Sequence, residues 1–340
     1  MPRLFLTGAT GYIGGAVLTR LLAHPLQHTF DITILVRSEE KAATFNRIFG
    51  QKHNLSAVAG SYSDLDLLKK LASNSDVVFA CADADDLPAA KAILDGLRDK
   101  HSSGGSPILV HTVCVLSDSA DGMHSSQPVY SDLDIPQLET LPPSQPHRDV
   151  DRALVEADSE GYVKTFIILP STIYGFASGP LVEAGLQNYR SQQIPRLVDV
   201  SLKRGQGGMV GKGKNVWGNV HIDDVANLYL RIFDLVAENS PPSDFAHGRA
   251  GFYFAEHGEH TLYQVGEAIA KILSGMGKGT SVPTTFTDEE IRLYFPNGTS
   301  LGSNSRCRAF RGINIGWKPA MNTQDMLYSI KAEVEAALSV

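Results

Sequence analysis

Three features that are scarce in this sequence or missing from it exclude classes of function before any motif is considered. Cysteines are few: Cys81, Cys114 and Cys307 lie far apart and form neither a CxxC motif nor a pair with histidine. Such spacing indicates neither a disulfide framework nor a zinc site, so we expect no bound metal. We expect a protein of a reducing, cytoplasmic compartment.

The sequence also lacks a dense block of basic residues and a long apolar run. It carries 30 Lys and Arg against 37 Asp and Glu, a formal net charge of -7. Since duplex-binding proteins usually present a basic face, we expect no nucleic-acid partner. No apolar run approaches the roughly 20 residues of a membrane span, so we expect no membrane partner. A predicted strand begins at residue 3, and cleavage of a secretory signal would remove the glycine motif described next. We therefore expect no such signal in these residues.

The N-terminal glycines carry the strongest signal in the sequence. Gly8, Gly11 and Gly14 follow a short apolar run at residues 3–7, and apolar residues at helical spacing continue over residues 12–22. A strand, a glycine turn and a helix in this order let the backbone approach a diphosphate at the helix N-terminus. The context therefore predicts a nucleotide-binding turn.

Beyond this turn, apolar segments alternate regularly with helical patterns. Further strands are predicted at residues 30–37, 55–60, 76–80, 107–113 and 162–169. The alternation predicts an α/β fold with a doubly wound parallel Rossmann sheet, covered by helices on both faces. The carboxyl ends of its strands, at residues 81–86 and 112–116, are expected to form a ligand crevice.

The regular pattern loosens after residue 175, which predicts a second unit. We divide the chain into a dinucleotide-binding domain and a smaller, mostly helical C-terminal substrate lobe. The first comprises residues 1–175, with residues 215–255 returning to it, and the second comprises residues 176–214 and 256–340. A helix is predicted near residues 181–193. Proline-rich residues 117–146 are predicted to form a long loop over the mouth of the crevice.

The last residue of the second predicted strand bears on the choice of cofactor. Dinucleotide folds usually place an acidic residue there to bind the ribose 2′-hydroxyl, whereas an arginine accommodates a 2′-phosphate. Arg37 occupies this position. A solvated arginine at a strand end is also common, but the position favours NADP over NAD.

Four motifs follow one another along the chain. They are Thr7-Gly8-x-x-Gly11-x-x-Gly14, Leu169-Pro170-Ser171-Thr172-Ile173-Tyr174-Gly175, Val220-His221-Ile222-Asp223-Asp224-Val225-Ala226 and Gly316-Trp317-Lys318-Pro319. Over nearly the whole chain they resemble the motifs of extended short-chain dehydrogenases/reductases, the NAD-dependent epimerase/dehydratase superfamily. The resemblance implies a Rossmann fold, an NAD(P) cofactor, a small-molecule substrate and, as in many members, a homodimer.

The resemblance also implies which residues contact the cofactor. Carried over position by position, they are Gly8, Thr10, Gly11, Tyr12, Ile13, Arg37, Cys81, Ala82, Thr112, Pro170, Thr172 and Ile173. The residues of the glycine turn would face the pyrophosphate, and those of the second motif would flank the nicotinamide ring. For Cys81 and Ala82, close packing of a parallel sheet is an equally good explanation of a small side chain.

The chain departs from the family at the catalytic helix. Members of the family carry there a tyrosine and, four residues on, a lysine, together with a serine on the fifth strand. Residues 146–156 contain neither tyrosine nor lysine. Depending on the frame, the pair aligns with Arg148 and Arg152 or with His147 and Asp151. The serine position falls on Val113 or Cys114, and neither supplies a hydroxyl.

Three hypotheses for the function follow from this departure. In the first, hydride transfer persists with a substitute proton donor, and His147, Tyr174 and Cys114 are the candidates. Asp151, one helical turn from His147, would orient its ring. In the second, the protein binds NAD(P) as a catalytically silent sensor, and in the third it is a non-redox dehydratase or isomerase. The predicted loop over the crevice, residues 117–146, and the substantial second lobe favour the first, an NAD(P)-binding oxidoreductase acting on a small carbonyl or hydroxyl metabolite.

Overall fold

The structure, a computed structural model, is described for most of the chain. The described residues are 1–113, 121–125, 129–142, 145, 147–236, 238, 241–296 and 299–339. The strands among them are β1 (Arg3–Thr7), β2 (Asp31–Val36), β3 (Leu55–Ala59), β4 (Val77–Ala80), β5 (Ile108–Thr112), β6 (Tyr130–Ser131), β7 (Lys164–Pro170), β8 (Thr172–Tyr174), β9 (Gly208–Met209), β10 (Val216–His221), β11 (Phe252–Ala255), β12 (Glu259–Thr261), β13 (Thr284–Thr285) and β14 (Cys307–Arg308).

Helices connect and cover these strands. They are α1 (Tyr12–Leu22), α2 (Glu39–Phe45), α3 (Gln51–His53), α4 (Leu65–Ser73), α5 (Leu87–Ser102), α6 (Ile135–Glu139), α7 (Arg148–Ser159), α8 (Pro180–Glu183), α9 (Gln193–Arg204), α10 (Ile222–Val236), α11 (Leu262–Gly275), α12 (Asp288–Tyr294), α13 (Phe310–Asn314) and α14 (Thr323–Leu338). None of the helices in the described part of the chain is long and apolar enough to cross a membrane.

Seven parallel strands form the central sheet. Their order is β11-β7-β5-β4-β1-β2-β3. The predicted doubly wound Rossmann fold is confirmed. Every residue of β4 and β5 is buried, because helices cover both faces of the sheet. The strand order reverses between β1 and β4, and a ligand crevice is expected at such a switch point.

The C-terminal part of the chain builds a second, mostly helical core. Apolar side chains of α9, α11 and α14 meet there, with Leu197, Ile269 and Met326 fully buried. A small sheet of β8, β10 and β12 lies between this core and the central sheet. The helical character of the C-terminal region is confirmed, while the bounds of the two domains stay a prediction.

Two of the sequence motifs, at residues 220–226 and 316–319, contact each other. Trp317 is buried, and its Nε1 donates a hydrogen bond to the Asp224 carbonyl oxygen at 2.8 Å. The Asp224 carboxylate in turn accepts from the backbone N–H groups of Ala320 at 3.1 Å and Met321 at 3.0 Å. The end of the chain is thereby fixed to the start of α10.

The predicted helix at residues 181–193 is wrong. The helix there, α8, spans only four residues. Gly185 follows it with φ +68°, and the N–H groups of Gly185 and Leu186 bond back to Val182 and Leu181. This is the Schellman pattern by which a left-handed glycine ends a helix. The chain then runs as turns and extended backbone to the start of α9.

The glycine turn gives a test of the packing. Gly8→Ala is expected to destabilise the protein about 1–3 kcal/mol more than Gly161→Ala, because only the first forces a clash. Both substitutions place an alanine in left-handed backbone and so cause similar backbone strain, since φ is +77° at Gly8 and +85° at Gly161. A Cβ at Gly8 would lie 2.4 Å from the Cys81 carbonyl oxygen, whereas nothing lies within 4 Å at Gly161. Urea unfolding of both variants measures the difference, and equal losses of stability would contradict this packing.

Candidate active site

The glycine turn after β1 forms a cradle without side chains. The Gly11 N–H bonds the Gly8 carbonyl oxygen at 2.8 Å, and a Cβ at Gly14 would lie 2.3 Å from that same oxygen. Gly11 precedes α1 without a side-chain cap, so no side chain neutralises the first N–H groups of this helix. Such a turn fits a pyrophosphate, because the backbone can approach it closely and the helix dipole favours its charge.

The segment that follows α8, which packs on the first core through Leu186, contacts the cradle. The Asn188 N–H bonds the Thr10 carbonyl oxygen at 2.9 Å, and Gln187 Nε2 donates to the Tyr12 carbonyl oxygen at 3.2 Å. The Tyr12 hydroxyl bonds the Gly175 carbonyl oxygen at 2.5 Å. The buried Gln187 Oε1 has no partner among the described residues. Sequence reasoning missed Gln187 because its segment was predicted to be helical.

Residues of the second sequence motif, 169–175, contact both cores. Ile173 contacts the same apolar cluster as Tyr12 and Ile13, next to the cradle. The Thr172 hydroxyl instead donates to Gln193 Oε1 at 2.7 Å, toward the second core. Pro170 ends β7, in register with Ala255 of β11. The placement of the nicotinamide ring against Pro170, Thr172 and Ile173 stays a prediction.

An arginine that is unpaired in the described part of the chain, Arg37, lies at the carboxyl end of β2. Arg37 follows β2, is exposed, and forms no hydrogen bond or ion pair with the part of the chain that the structure describes. An unpaired guanidinium at this strand end is suited to bind a phosphate. Ala82 is likewise exposed, just beyond β4.

Two of the predicted cofactor contacts, Thr112 and Cys81, form hydrogen bonds within the protein. The Thr112 and Tyr229 hydroxyls form a buried hydrogen bond of 2.6 Å between β5 and α10. Burial raises the pKa of the Cys81 thiol to about 11, although Thr112 and Tyr229 bond it. The backbone N–H of Cys81 donates to Thr7 Oγ1 at 3.2 Å. Thr112 and Cys81 thus hold β1, β4, β5 and α10 together.

His147 lies at the start of α7 in an unusual conformation. Its φ of +72° is left-handed, a region that is uncommon for non-glycine residues, although histidine is enriched there together with Asn and Asp. Its Nδ1 forms a short hydrogen bond with Oδ1 of Asp85, which lies in the loop between β4 and α5. Its Nε2 forms no hydrogen bond with any described residue. A carboxylate on one ring nitrogen fixes the ring and leaves the other nitrogen free to exchange a proton.

The expected partner of His147 was wrong. Asp85, not Asp151, contacts the ring, because His147 is the left-handed N-cap of α7 and the i, i+4 spacing of a helix, which would pair it with Asp151, does not apply to it. Asp151 is instead 2% exposed on the inner face of α7. Arg152 is exposed and lines an outer groove between α5 and α7. The Arg148 side chain is 13% exposed and that of His147 16%, so each frame has one member at the surface of α7 or at its start and one directed inward, and burial does not choose between the frames.

A buried polar cluster lies beside this contact. His111 of β5 is 1% exposed, and burial lowers its pKa to about 4. Burial raises the pKa of Asp151 to about 7, against the effect of the Arg148 guanidinium 3.9 Å away. His111 Nε2, Arg148 Nε and Asp151 Oδ1 are buried without a hydrogen-bond partner in the described chain. Unpaired buried polar atoms are costly, and each calls for an explanation such as a catalytic role or a bound water.

Of the other two catalytic candidates, Tyr174 is buried away from the cradle and Cys114 stays a prediction. Tyr174 is 1% exposed in the second core, and its hydroxyl donates to the Asn322 carbonyl oxygen at 2.8 Å. Burial raises its pKa further above the ordinary value of tyrosine. Tyr174 is therefore positioned as a packing residue and not as a proton donor to a ligand. Cys114 lies outside the described residues. Within the described ranges, no group of three His, Cys, Asp or Glu side chains is arranged to hold a metal.

His111 and Asp151 predict opposite dependences of stability on pH. Native His111 binds fewer protons than the unfolded chain between about pH 4 and its ordinary pKa of 6.5, so this group makes stability rise with pH. Native Asp151 binds more protons than the unfolded chain between its ordinary pKa of 3.8 and about 7, so it makes stability fall with pH. The two effects oppose each other in the wild type.

Single variants are expected to separate these effects. Relative to wild type, the Tm of Asp151→Asn should rise as pH increases from about 5 to about 8, and that of His111→Asn should fall. The Asp151 effect is on the order of 1–4 kcal/mol, since one pKa unit corresponds to about 1.4 kcal/mol. Calorimetry across this range measures both. Variant curves that run parallel to wild type would show that neither group titrates abnormally.

Comparisons with known proteins agree with this architecture. A sequence profile described as the NAD dependent epimerase/dehydratase family matches residues 4–248. The chain is 30% identical to the oxidase ucsJ of Acremonium sp, over 93% of this chain and 92% of that protein. It is 26% identical to an uncharacterised protein of Schizosaccharomyces pombe, over 94% and 96% of the two chains.

Solved structures share the fold at low sequence identity. The UDP-glucose 4-epimerase of Thermotoga maritima superposes with a TM-score of 0.63 at 16% identity, over 99% of both chains. A UDP-glucuronic acid 4-epimerase of Bacillus cereus, solved with NAD, gives 0.65 at 14% identity over 99% of both. The dTDP-glucose 4,6-dehydratase of Bacillus anthracis, also with NAD, gives 0.64 at 18% identity over 99% and 97%.

Proposed function

The chain belongs to the NAD dependent epimerase/dehydratase family, and on this premise we propose an NAD(P)-dependent oxidoreductase that acts on a small carbonyl or hydroxyl metabolite. In this proposal His147 replaces the family's tyrosine-lysine pair as the proton donor or acceptor. The contact of Asp85 with His147 carries the proposal, because it fixes one ring nitrogen and leaves the other free. The relative named as an oxidase supports redox chemistry.

The residues around the cradle fit a dinucleotide. The turn at Gly8 and Gly14 leaves no room for a Cβ, and the uncapped start of α1 would bind the pyrophosphate. Arg37 would bind a 2′-phosphate on the adenosine ribose, which favours NADP over NAD. Pro170 and Ile173 would line the nicotinamide end. When bound, the cofactor supplies or accepts a hydride.

The chain's own contribution is the movement of one proton. In reduction, the protonated Nε2 of His147 gives its proton to the substrate oxygen, and in oxidation the neutral Nε2 takes the proton of the hydroxyl. Asp85 keeps the Nδ1 proton on the ring and stabilises its positive charge. The Asp85 side chain is 60% exposed, so the pair exchanges protons with solvent between turnovers. General acid-base help of this kind contributes about 10²- to 10⁴-fold.

A catalytically silent dinucleotide sensor is the second candidate. The absence of tyrosine and lysine from α7, together with the burial of Tyr174, favours it. A non-redox dehydratase or isomerase is the third. Dinucleotide binding without cofactor oxidation on any substrate supports the sensor. A rearranged product without net redox change supports the isomerase.

The cofactor preference is tested by ligand protection. NADP should raise the Tm of the wild type more than NAD does at equal concentration. Arg37→Ala should weaken NADP binding about 10- to 100-fold and leave NAD binding nearly unchanged, since a charge-assisted hydrogen bond contributes about 1.5–3 kcal/mol. Arg292→Ala, which removes an exposed arginine of α12, is the control. Stronger protection of the wild type by NAD would refute the preference.

The proton donor is tested by turnover with NADPH and a panel of small aldehydes and ketones. His147→Gln should lower kcat by about 10²- to 10⁴-fold, because the substitute amide exchanges no proton. Tyr174→Phe removes the hydrogen bond to Asn322 and should lower stability by about 1 kcal/mol, with kcat within about twofold of wild type. Unchanged turnover in His147→Gln would remove His147 from the mechanism.

A further inference from the structure

The chain from Gln187 to Arg190 contacts both the glycine cradle and the second core. At the cradle, the Asn188 N–H donates to the Thr10 carbonyl oxygen at 2.9 Å, and Gln187 Nε2 donates to the Tyr12 carbonyl oxygen at 3.2 Å. These two carbonyl groups belong to the turn that we propose for the pyrophosphate. A ligand that fixes this turn therefore also fixes the acceptors of Gln187 and Asn188.

Gly15 shows how closely Gln187 packs against α1. Glycine weakens a helix interior relative to alanine, yet Gly15 lies within α1. A Cβ at this position would lie 2.4 Å from both Cγ and Cδ of Gln187. The glycine thus makes room for a side chain that is 7% exposed and whose Oε1 is buried without a partner in the described chain. A half-paired buried amide costs stability that an apolar side chain would not, so packing alone does not account for Gln187.

The other end of the segment forms an ion pair with the second core. Arg190 Nε and Nη2 donate to Glu333 Oε2 at 3.1 and 3.0 Å. Glu333 belongs to α14, and its side chain is 3% exposed. Removal of either partner would leave a charge in a buried place without compensation, so the positions of the two side chains are tightly linked.

Two further observations join these ends into one unit. The Arg190 N–H donates to Asn188 Oδ1 at 3.1 Å, and Asn188 Nδ2 donates to the Arg190 carbonyl oxygen at 3.0 Å, so residues 188–190 form a closed turn. Burial raises the pKa of the Tyr12 hydroxyl, and the charge of Glu333 raises it further. The carboxylate of α14 therefore lies near enough to the cradle to act on it electrostatically.

We propose that Gln187 and Arg190 are positioning residues that couple the glycine turn to α14, so that a dinucleotide bound on the turn stabilises the second core. The dinucleotide fixes the Thr10 and Tyr12 carbonyl groups, these hold residues 187–190, and Arg190 holds Glu333. The region predicted to bind the substrate is thereby ordered when the cofactor is present. The ligand of this coupling rests on the proposed function, whereas its contacts exist without a ligand. Coupling between two sites acts equally in both directions.

Hydrogen exchange of the full-length protein, with and without saturating NADPH, measures the coupling. In the wild type, NADPH should slow exchange at residues 330–338 of α14 about fivefold or more. Arg190→Gln and Gln187→Ala should each abolish this protection, and Arg190→Gln should weaken NADPH binding by a similar factor. Arg204→Gln is the matched control, because it breaks another ion pair of this region, from Arg204 Nε to Glu290 Oε1 at 2.8 Å between α9 and α12. It should change neither quantity.

A comparison without ligand separates this inference from the proposed function. In the absence of NADPH, Arg190→Gln should speed exchange at residues 10–18, the turn and the first part of α1, about threefold or more relative to wild type. Arg204→Gln should leave exchange at these residues unchanged, because its ion pair has no contact with residues 187–190.

The possible outcomes distinguish the two claims. Equal protection of α14 by NADPH in the wild type and in Arg190→Gln overturns the coupling and leaves the proposed function standing. If NADPH neither binds nor protects the wild type, the proposed function is overturned, and the comparison without ligand decides the coupling. Exchange at residues 10–18 that is identical in the wild type and Arg190→Gln would then overturn it as well.

Discussion

The close approach of the glycine turn to the end of β4 is the constraint on which the site depends. At Gly8 and Gly14 the backbone leaves no space for a Cβ, because the Cys81 and Gly8 carbonyl groups occupy it. This contact fixes the cradle that we propose for a pyrophosphate and also the point where the β4–α5 loop begins. That loop carries Asp85 to the ring of His147. The proposed cofactor site and the proposed proton donor therefore depend on the same backbone contact.

The sequence predicted those parts of the molecule that local patterns determine. The glycine turn, the parallel strands and the exposed Arg37 follow from spacing and periodicity along short segments. Asp85 was missed because it lies 62 residues from His147 and carries no pattern of its own. Gln187 was missed because the apolar residues around it suggested a helix, although Gly185 was already a signal for a helix end. Contacts between distant loops depend on tertiary packing, which no local pattern encodes.

The electrostatics of the site differ from those that the family resemblance implies. There a nearby lysine lowers the pKa of a catalytic tyrosine. Here a carboxylate contacts a histidine, and a second carboxyl, Asp151, is buried in the first turn of α7 with its pKa raised to about 7. Tyr174 is present in the motif of residues 169–175 that resembles the family's, but its hydroxyl donates a hydrogen bond to the Asn322 carbonyl oxygen inside the second core. A histidine with a carboxylate partner is suited to proton transfer near neutral pH.

The central claim is that the dinucleotide lies on the glycine turn with His147 beside its nicotinamide ring. A crystal structure of the complex with NADPH tests it most directly. The account predicts His147 Nε2 within about 6 Å of the nicotinamide C4, a separation that leaves room for one substrate carbonyl between them. A nicotinamide ring with Tyr174 within that distance, and His147 well beyond it, would contradict the account.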